Sequence, residues 1–139
     1  MNDSFEPEIT VLYCGRALAK GSHLPEGTMK GKGFKVRFAM IPCSSKVEVG
    51  YLIKLIEEGA DGVVLAVCPE DHCQFMLGSV RAENRVKYAR HLLEEVGIEG
   101  NRLSAVQAHD FTAAKFTSIA EEHAGLIRTL GQNPVKSIR

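Results

Sequence analysis

The sequence predicts an α/β domain: a four-stranded, mostly parallel sheet with helices on both faces. Short apolar runs rich in β-branched residues alternate with longer stretches of helical periodicity. One run, Val63–Val67, is continuously apolar, as strands buried on both faces are. The resulting order is strand, crossover, strand, helix, strand, helix, strand, helix, which favours a parallel sheet between helical layers.

Each element has its own signal. Residues 1–8 are polar, contain Pro7 and read as an extended lead-in. Ile9–Cys14 is the first strand. Gly15–Gly33 holds five glycines and Pro25, so it reads mostly as loop, with room for a short helix in GRALAKG. Phe34–Ile41 alternates and then turns wholly apolar, a second strand stopped by Pro42. Ser44 or Ser45 is placed to cap the next helix, with Glu48 completing a capping box on Ser45. Val47, Leu52, Leu55 and Ile56 share one face of that helix, and Gly59 sits where a C′ glycine belongs.

Val63–Val67 is the third strand. Val80–Val96 is an amphipathic helix with Val86, Ala89, Leu92, Leu93 and Val96 as its stripe. Arg102–Ala108 alternates as a fourth strand. Phe111–Leu130 is the last helix, with Phe116, Ile119, Ala120, Ile127 and Leu130 facing inward and Asp110 placed to cap it. Residues 132–139 read as a frayed polar tail.

Composition narrows the function. The 139 residues fit one domain, residues 1–139, and 45% hydrophobic content supports a core without disulfide staples. Seventeen basic and seventeen acidic residues cancel, which argues against a nucleic-acid binder. No apolar run is long enough to span a bilayer, and the acidic start MNDSFEPEI lacks signal-peptide regions, so a cytoplasmic location is expected. Thiols stay reduced there, and four cysteines then point to metal, cluster or redox chemistry.

Those cysteines are the chief functional signal. Cys14, Cys43 and Cys68 each fall at or just past a strand end, and Cys73 lies in the loop after the third strand. A parallel sheet brings all its strand C-termini to one edge, where ligands bind. Four thiolates suit an iron–sulfur cluster or a structural zinc. The gaps of 28, 24 and 4 residues contain no C-x-x-C pair of the zinc-ribbon kind, and require a prefolded scaffold. Against this stands cysteine's ordinary use as a small buried hydrophobe.

Other residues carry less. His72, between the paired cysteines, can ligate metal, donate to a cluster sulfur or simply be solvated. His109 and Asp110 follow the fourth strand on the same edge. His91 and His123 fall in helices and read as surface residues, and His23 sits in the irregular loop. Gly31-Lys32-Gly33 precedes a strand, so it is neither a P-loop nor a dinucleotide fingerprint.

The stretch GADGVVLAVCPEDHCQFMLGSVRAENRVKYARHLLEEVGIEGNRL resembles the delta (iron–sulfur) subunit of methyl-viologen-reducing hydrogenase, associated with heterodisulfide reductase. The likeness rests on GADGV, the cysteines four residues apart, the A-E-x-R-V-K helix and the LLEEVGIE-x-x-R-L ending, and extends to Cys43-Ser44 and to the strand ending at Cys14. It implies a [2Fe–2S] cluster ligated by Cys14, Cys43, Cys68 and Cys73, and no catalysis of the subunit's own. It also implies electron relay between a hydrogenase, formate dehydrogenase or methylenetetrahydrofolate reductase module and a flavin-containing heterodisulfide reductase subunit, in complexes linked to flavin-based electron bifurcation. The family pattern has a C-x-x-C after the first strand, where this chain has Cys14-Gly15-Arg16-Ala17. Two further readings stay open: a structural adaptor with the cluster lost or replaced by zinc, and a thiol–persulfide carrier using Cys68 and Cys73. Glu70 and Asp71 would raise the thiol pKa and disfavour the last.

Overall fold

The structure is a computed structural model and describes residues 5–14, 18–24, 28–31, 33–41, 48–67, 78–108 and 111–137. Five strands form one sheet in the order β2-β3-β1-β4-β5. These are β1 (Glu8–Cys14), β2 (Thr28–Lys30), β3 (Lys35–Ile41), β4 (Gly62–Val67) and β5 (Leu103–Gln107). The four expected strands run parallel, and β2 adds an antiparallel edge.

The fifth strand corrects the expected count of four. Thr28–Lys30 lies in the segment expected to be loop, and three residues are too few for periodicity to register. Lys30 pairs with Lys35, and the Gly31 amide donates to the Phe34 carbonyl at 2.8 Å. Gly31 and Gly33 therefore belong to the turn of a hairpin. Gly33 has φ +78°, and a Cβ on Gly31 would fall 2.4 Å from the Phe34 ring, so both glycines are sterically required. Leu18–Gly21, where a short helix had room, form instead an isolated bridge from Leu18 to Phe111 and a turn.

Helices α1 (Val49–Glu57) and α2 (Gly78–Glu95) cover one face, and α3 (Ala113–Leu130) covers the other. Alternation along the strands explains the division. Ile9, Val11 and Tyr13 of β1 join Phe116, Ala120 and Ile127 of α3, while Leu12 joins Leu52, Ile56, Val86 and Leu93. Each such aliphatic side chain contributes about 1.5–3 kcal/mol on full burial. Tyr13, Phe38 and Phe111 gather round Phe116 at ring-centre distances of 5.4, 6.4 and 5.8 Å.

The helix ends refine the expected boundaries. Glu48 is extended (φ −97°, ψ 155°) immediately before α1, so it cannot serve as the third helical residue of a capping box. Ser44, Ser45 and Val47 lie outside the described residues. Gly59 does close α1: its amide donates to Ile56 and that of Ala60 to Leu55, the paired bonds of a Schellman motif. Gly97 and Ile98 repeat this on α2, which leaves Val96 past the helix end and 72% exposed instead of in the stripe. Helix α3 begins after Thr112, whose hydroxyl accepts from the Lys115 amide at 3.2 Å. Phe111 thus precedes the helix, and the expected cap Asp110 lies outside the described residues.

The expected frayed tail is instead anchored. Asn133 is fully buried, and Pro134–Ser137 form a short helical turn packed at the start of the strands.

Candidate functional site

The parallel strands end together. Cys14 is the last residue of β1, lies opposite Ile41 at the end of β3, and is 4% exposed. On its other side Tyr13 pairs with Ala66, which sets Val67, the last residue of β4, level with Cys14. Adjacent strands stand about 4.8 Å apart, so the three ends form a short row with β1 in the middle. The chain leaves β1 toward β3, then crosses back past β1 to β4. That reversal puts the topological switch beside β1, where open α/β sheets leave a crevice at their strand C-termini.

Of the four predicted ligands, the structure describes Cys14. Cys43, Cys68 and Cys73 lie outside the described residues, as do His72, His109 and Asp110. In sequence, Cys68 directly follows Val67 and Cys43 is two residues beyond Ile41. Among the described residues no three His, Cys, Asp or Glu side chains form a metal-binding group.

The opposite end of the sheet holds a polar cluster that sequence reasoning missed. Asp61, fully buried before β4, accepts from the Asn133 amide (2.8 Å), the Glu8 amide (2.9 Å) and the Lys136 ammonium (2.7 Å). Arg102, fully buried before β5, donates to Glu99 (2.9 Å), the Asp61 carbonyl (3.1 Å) and the Gln132 carbonyl (3.2 Å). It was expected to open the strand, but belongs to the short helical turn Gly100–Arg102. The Asn133 side-chain amide donates to the Ile56 and Ala60 carbonyls, both at 2.8 Å.

His123 also corrects its surface assignment. It is 7% exposed, and its Nε2 donates to the Arg102 carbonyl at 3.1 Å. Burial pushes the imidazole pKa below its ordinary value, although the Arg102 carbonyl opposes this. Burial disfavours charge on Lys136 too, but hydrogen bonds and charges from Asp61 and Glu8 outweigh it and hold the ammonium pKa above its ordinary value. For Glu99, partial burial raises the pKa, but a backbone hydrogen bond and the Arg102 guanidinium lower it further. His91, as expected, is exposed and pairs with Glu95 at 3.3 Å. His23 is exposed.

One end of the sheet is therefore a satisfied polar lock, and the other presents strand ends that lead into cysteines. The family model for the methyl-viologen-reducing hydrogenase delta subunit matches residues 11–131, a span running from β1 through α3. The chain belongs to that family.

Relatives matched over nearly their whole length agree with the delta-family placement. The vhu iron-sulfur subunit of the F420-non-reducing hydrogenase of Methanococcus maripaludis is 35% identical over 132 residues, covering 95% of this chain and 98% of the relative. Its namesake in Methanococcus voltae is 37% identical over 131 residues, covering 94% and 98%. A different context comes from one subunit of the ferredoxin/F(420)H(2)-dependent CoB-CoM heterodisulfide reductase of Methanosarcina acetivorans. It is 24% identical over 96 residues, which are 69% of this chain and 12% of that protein. Among the described residues of this delta-family chain, no helix is long and apolar enough to cross a membrane.

Proposed function

We propose that this protein is an electron-transfer subunit carrying a [2Fe–2S] cluster on Cys14, Cys43, Cys68 and Cys73. It relays electrons between a hydrogenase, formate dehydrogenase or methylenetetrahydrofolate reductase module and a flavin-containing heterodisulfide reductase-type subunit, in a cytoplasmic complex capable of flavin-based electron bifurcation. The supporting observation is the level row formed by Ile41, Cys14 and Val67, with Cys43 and Cys68 within two residues of its flanks. Relatives named as hydrogenase iron-sulfur subunits, and one named as a heterodisulfide reductase subunit, support the partners.

The donor set fits such a group. Thiolates are the common ligands of iron–sulfur clusters, and the local C-x-x-x-x-C spacing of Cys68 and Cys73 leaves a loop able to close around one. A bound cluster would supply one-electron chemistry, with plant-type all-cysteine centres near about −400 mV. The chain's own residues hold and shield it. Cys14 offers its thiol from the rigid central strand, and burial there limits access of water and oxidants.

Anaerobically purified protein should contain about two irons and two acid-labile sulfides per chain and give an EPR signal on reduction. Stoichiometric zinc in place of iron would overturn the cluster and favour a structural adaptor.

A further inference from the structure

On the α1 side of the sheet, the early residues of β1 and β3 are polar. Leu12 packs with α1, and residues two apart on a strand share a face, so Glu8 and Thr10 point the same way. Ala39 joins that layer from β3, which puts Lys35 and Arg37 on the same face. The register sets these side chains in cross-strand rows. Thr28 of β2, Arg37 of β3 and Thr10 of β1 form one row, and Lys35 and Glu8 fall in the next. Neighbours in a row stand about 4.8 Å apart.

The rows floor a cavity of about 200 Å³, walled on the other side by Leu55, Glu58 and the Gly59 turn that ends α1. Thr10 is 8% exposed, and its hydroxyl makes no hydrogen bond among the described residues. Every described side-chain nitrogen or oxygen sealed from solvent has a partner, so this hydroxyl opens on the cavity that Thr10 lines. Lys35 and Arg37 line the same space, and neither has an ion-pair partner among the described residues. Glu8 is already held by Lys136 at 3.0 Å. Two unpaired cations thus face one exposed carboxylate, Glu58, and the surplus charge is single and positive.

We propose that this cavity binds a small organic carboxylate. The carboxylate sits in the fork of the Arg37 guanidinium, a planar match for it, and accepts from the Thr10 and Thr28 hydroxyls. Its apolar remainder packs on Leu55. A cavity of about 150 Å³ accommodates benzene, so this one takes an acid of about six to eight non-hydrogen atoms. The single surplus charge and the negative end of α1 disfavour a phosphate dianion. The site uses none of the four cysteines and stands whether or not the electron-transfer reading does.

The test titrates the full chain as purified with butyrate, by calorimetry, both free and in its native complex. One butyrate should bind per chain, and the uncharged butyramide should bind at least about tenfold more weakly. Arg37→Gln should weaken butyrate at least about tenfold, and Thr10→Val, which keeps the β-branched shape, about threefold to tenfold. Glu58→Gln should tighten it about threefold by removing the opposing charge, a gain that a loss of folding does not produce. All three variants should keep the iron content of the wild type. Absence of saturable binding up to about 10 mM butyrate, or unchanged affinity in all three variants, overturns the site. Phosphate binding more tightly than butyrate overturns the carboxylate class. Binding to the free chain that disappears in the native complex overturns a free ligand in favour of an acidic side chain of a partner.

Discussion

The two ends of the sheet use polarity in opposite ways. Where the strands begin, Asp61, Arg102, Asn133 and Lys136 are bound to one another and to the backbone, over sequence separations as large as 77 residues. Where they end, the central strand finishes in a buried thiol, and in sequence its neighbours are followed within two residues by Cys43 and Cys68. A carboxylate locked by three donors is stable because nothing is left for a ligand to take. The proposed function assigns ligand chemistry to the second pole, where the strands end, so stability and ligand binding should be separable by substitution.

The largest stability loss is expected from Asp61→Ala. It leaves the Glu8 and Asn133 amides without their acceptor and the Lys136 ammonium with Glu8 alone, and each orphaned buried donor costs about 1–3 kcal/mol. Urea unfolding of the apo protein measures it, and a loss below about 1 kcal/mol would dissolve the contrast between the poles. Gly62→Ala comes next. A Cβ there would lie 2.7 Å from the His123 ring, and such overpacking costs about 1–3 kcal/mol by the same measurement.

Cys14→Ala sharpens the comparison from the other side. Removal of one small buried side chain from the apo protein should cost about 1 kcal/mol, while iron per chain falls to a small fraction of the wild-type value. Retention of full iron would remove Cys14 from the ligand set.

The smallest effect is on pH dependence. The His123 pKa is lowered in the folded state below its ordinary 6.5. The unfolded chain therefore takes up the proton first, and His123's contribution is complete above pH 6.5 and declines as pH falls below it, toward the folded value. The loss is bounded by about 1.4 kcal/mol per unit of pKa difference. The urea midpoint should drop between about pH 7 and pH 5, and less steeply in His123→Asn.

What was legible in the sequence follows the same division. The four parallel strands could be read because each is an apolar run closed by glycine, proline or a polar turn, and the helices because Leu52, Ile56, Val86 and Phe116 recur at helical spacing. The order of those elements yielded the shared edge that carries Cys14. Strand β2 escaped because three residues next to a Gly-Lys-Gly sequence carry almost no periodic signal. The polar lock escaped for a different reason. Asp61 looks like part of a turn, His123 like a polar helix residue and Asn133 like tail, because each is explained by partners distant in sequence. Gly62 and its cramped approach to His123 were the nearest local hint, and only the fold shows what the missing side chain makes room for.

The Lys136–Glu8 contact, 3.0 Å between ammonium and carboxylate, has a practical consequence for handling the protein. It brings the segment after α3 beside the first residue of β1, at the pole farthest from Cys14. Strand β1 is seven residues long from Glu8 to Cys14, a span of about 20 Å. A resin linked to the chain just past Ser137 would thus attach at the pole away from Cys14.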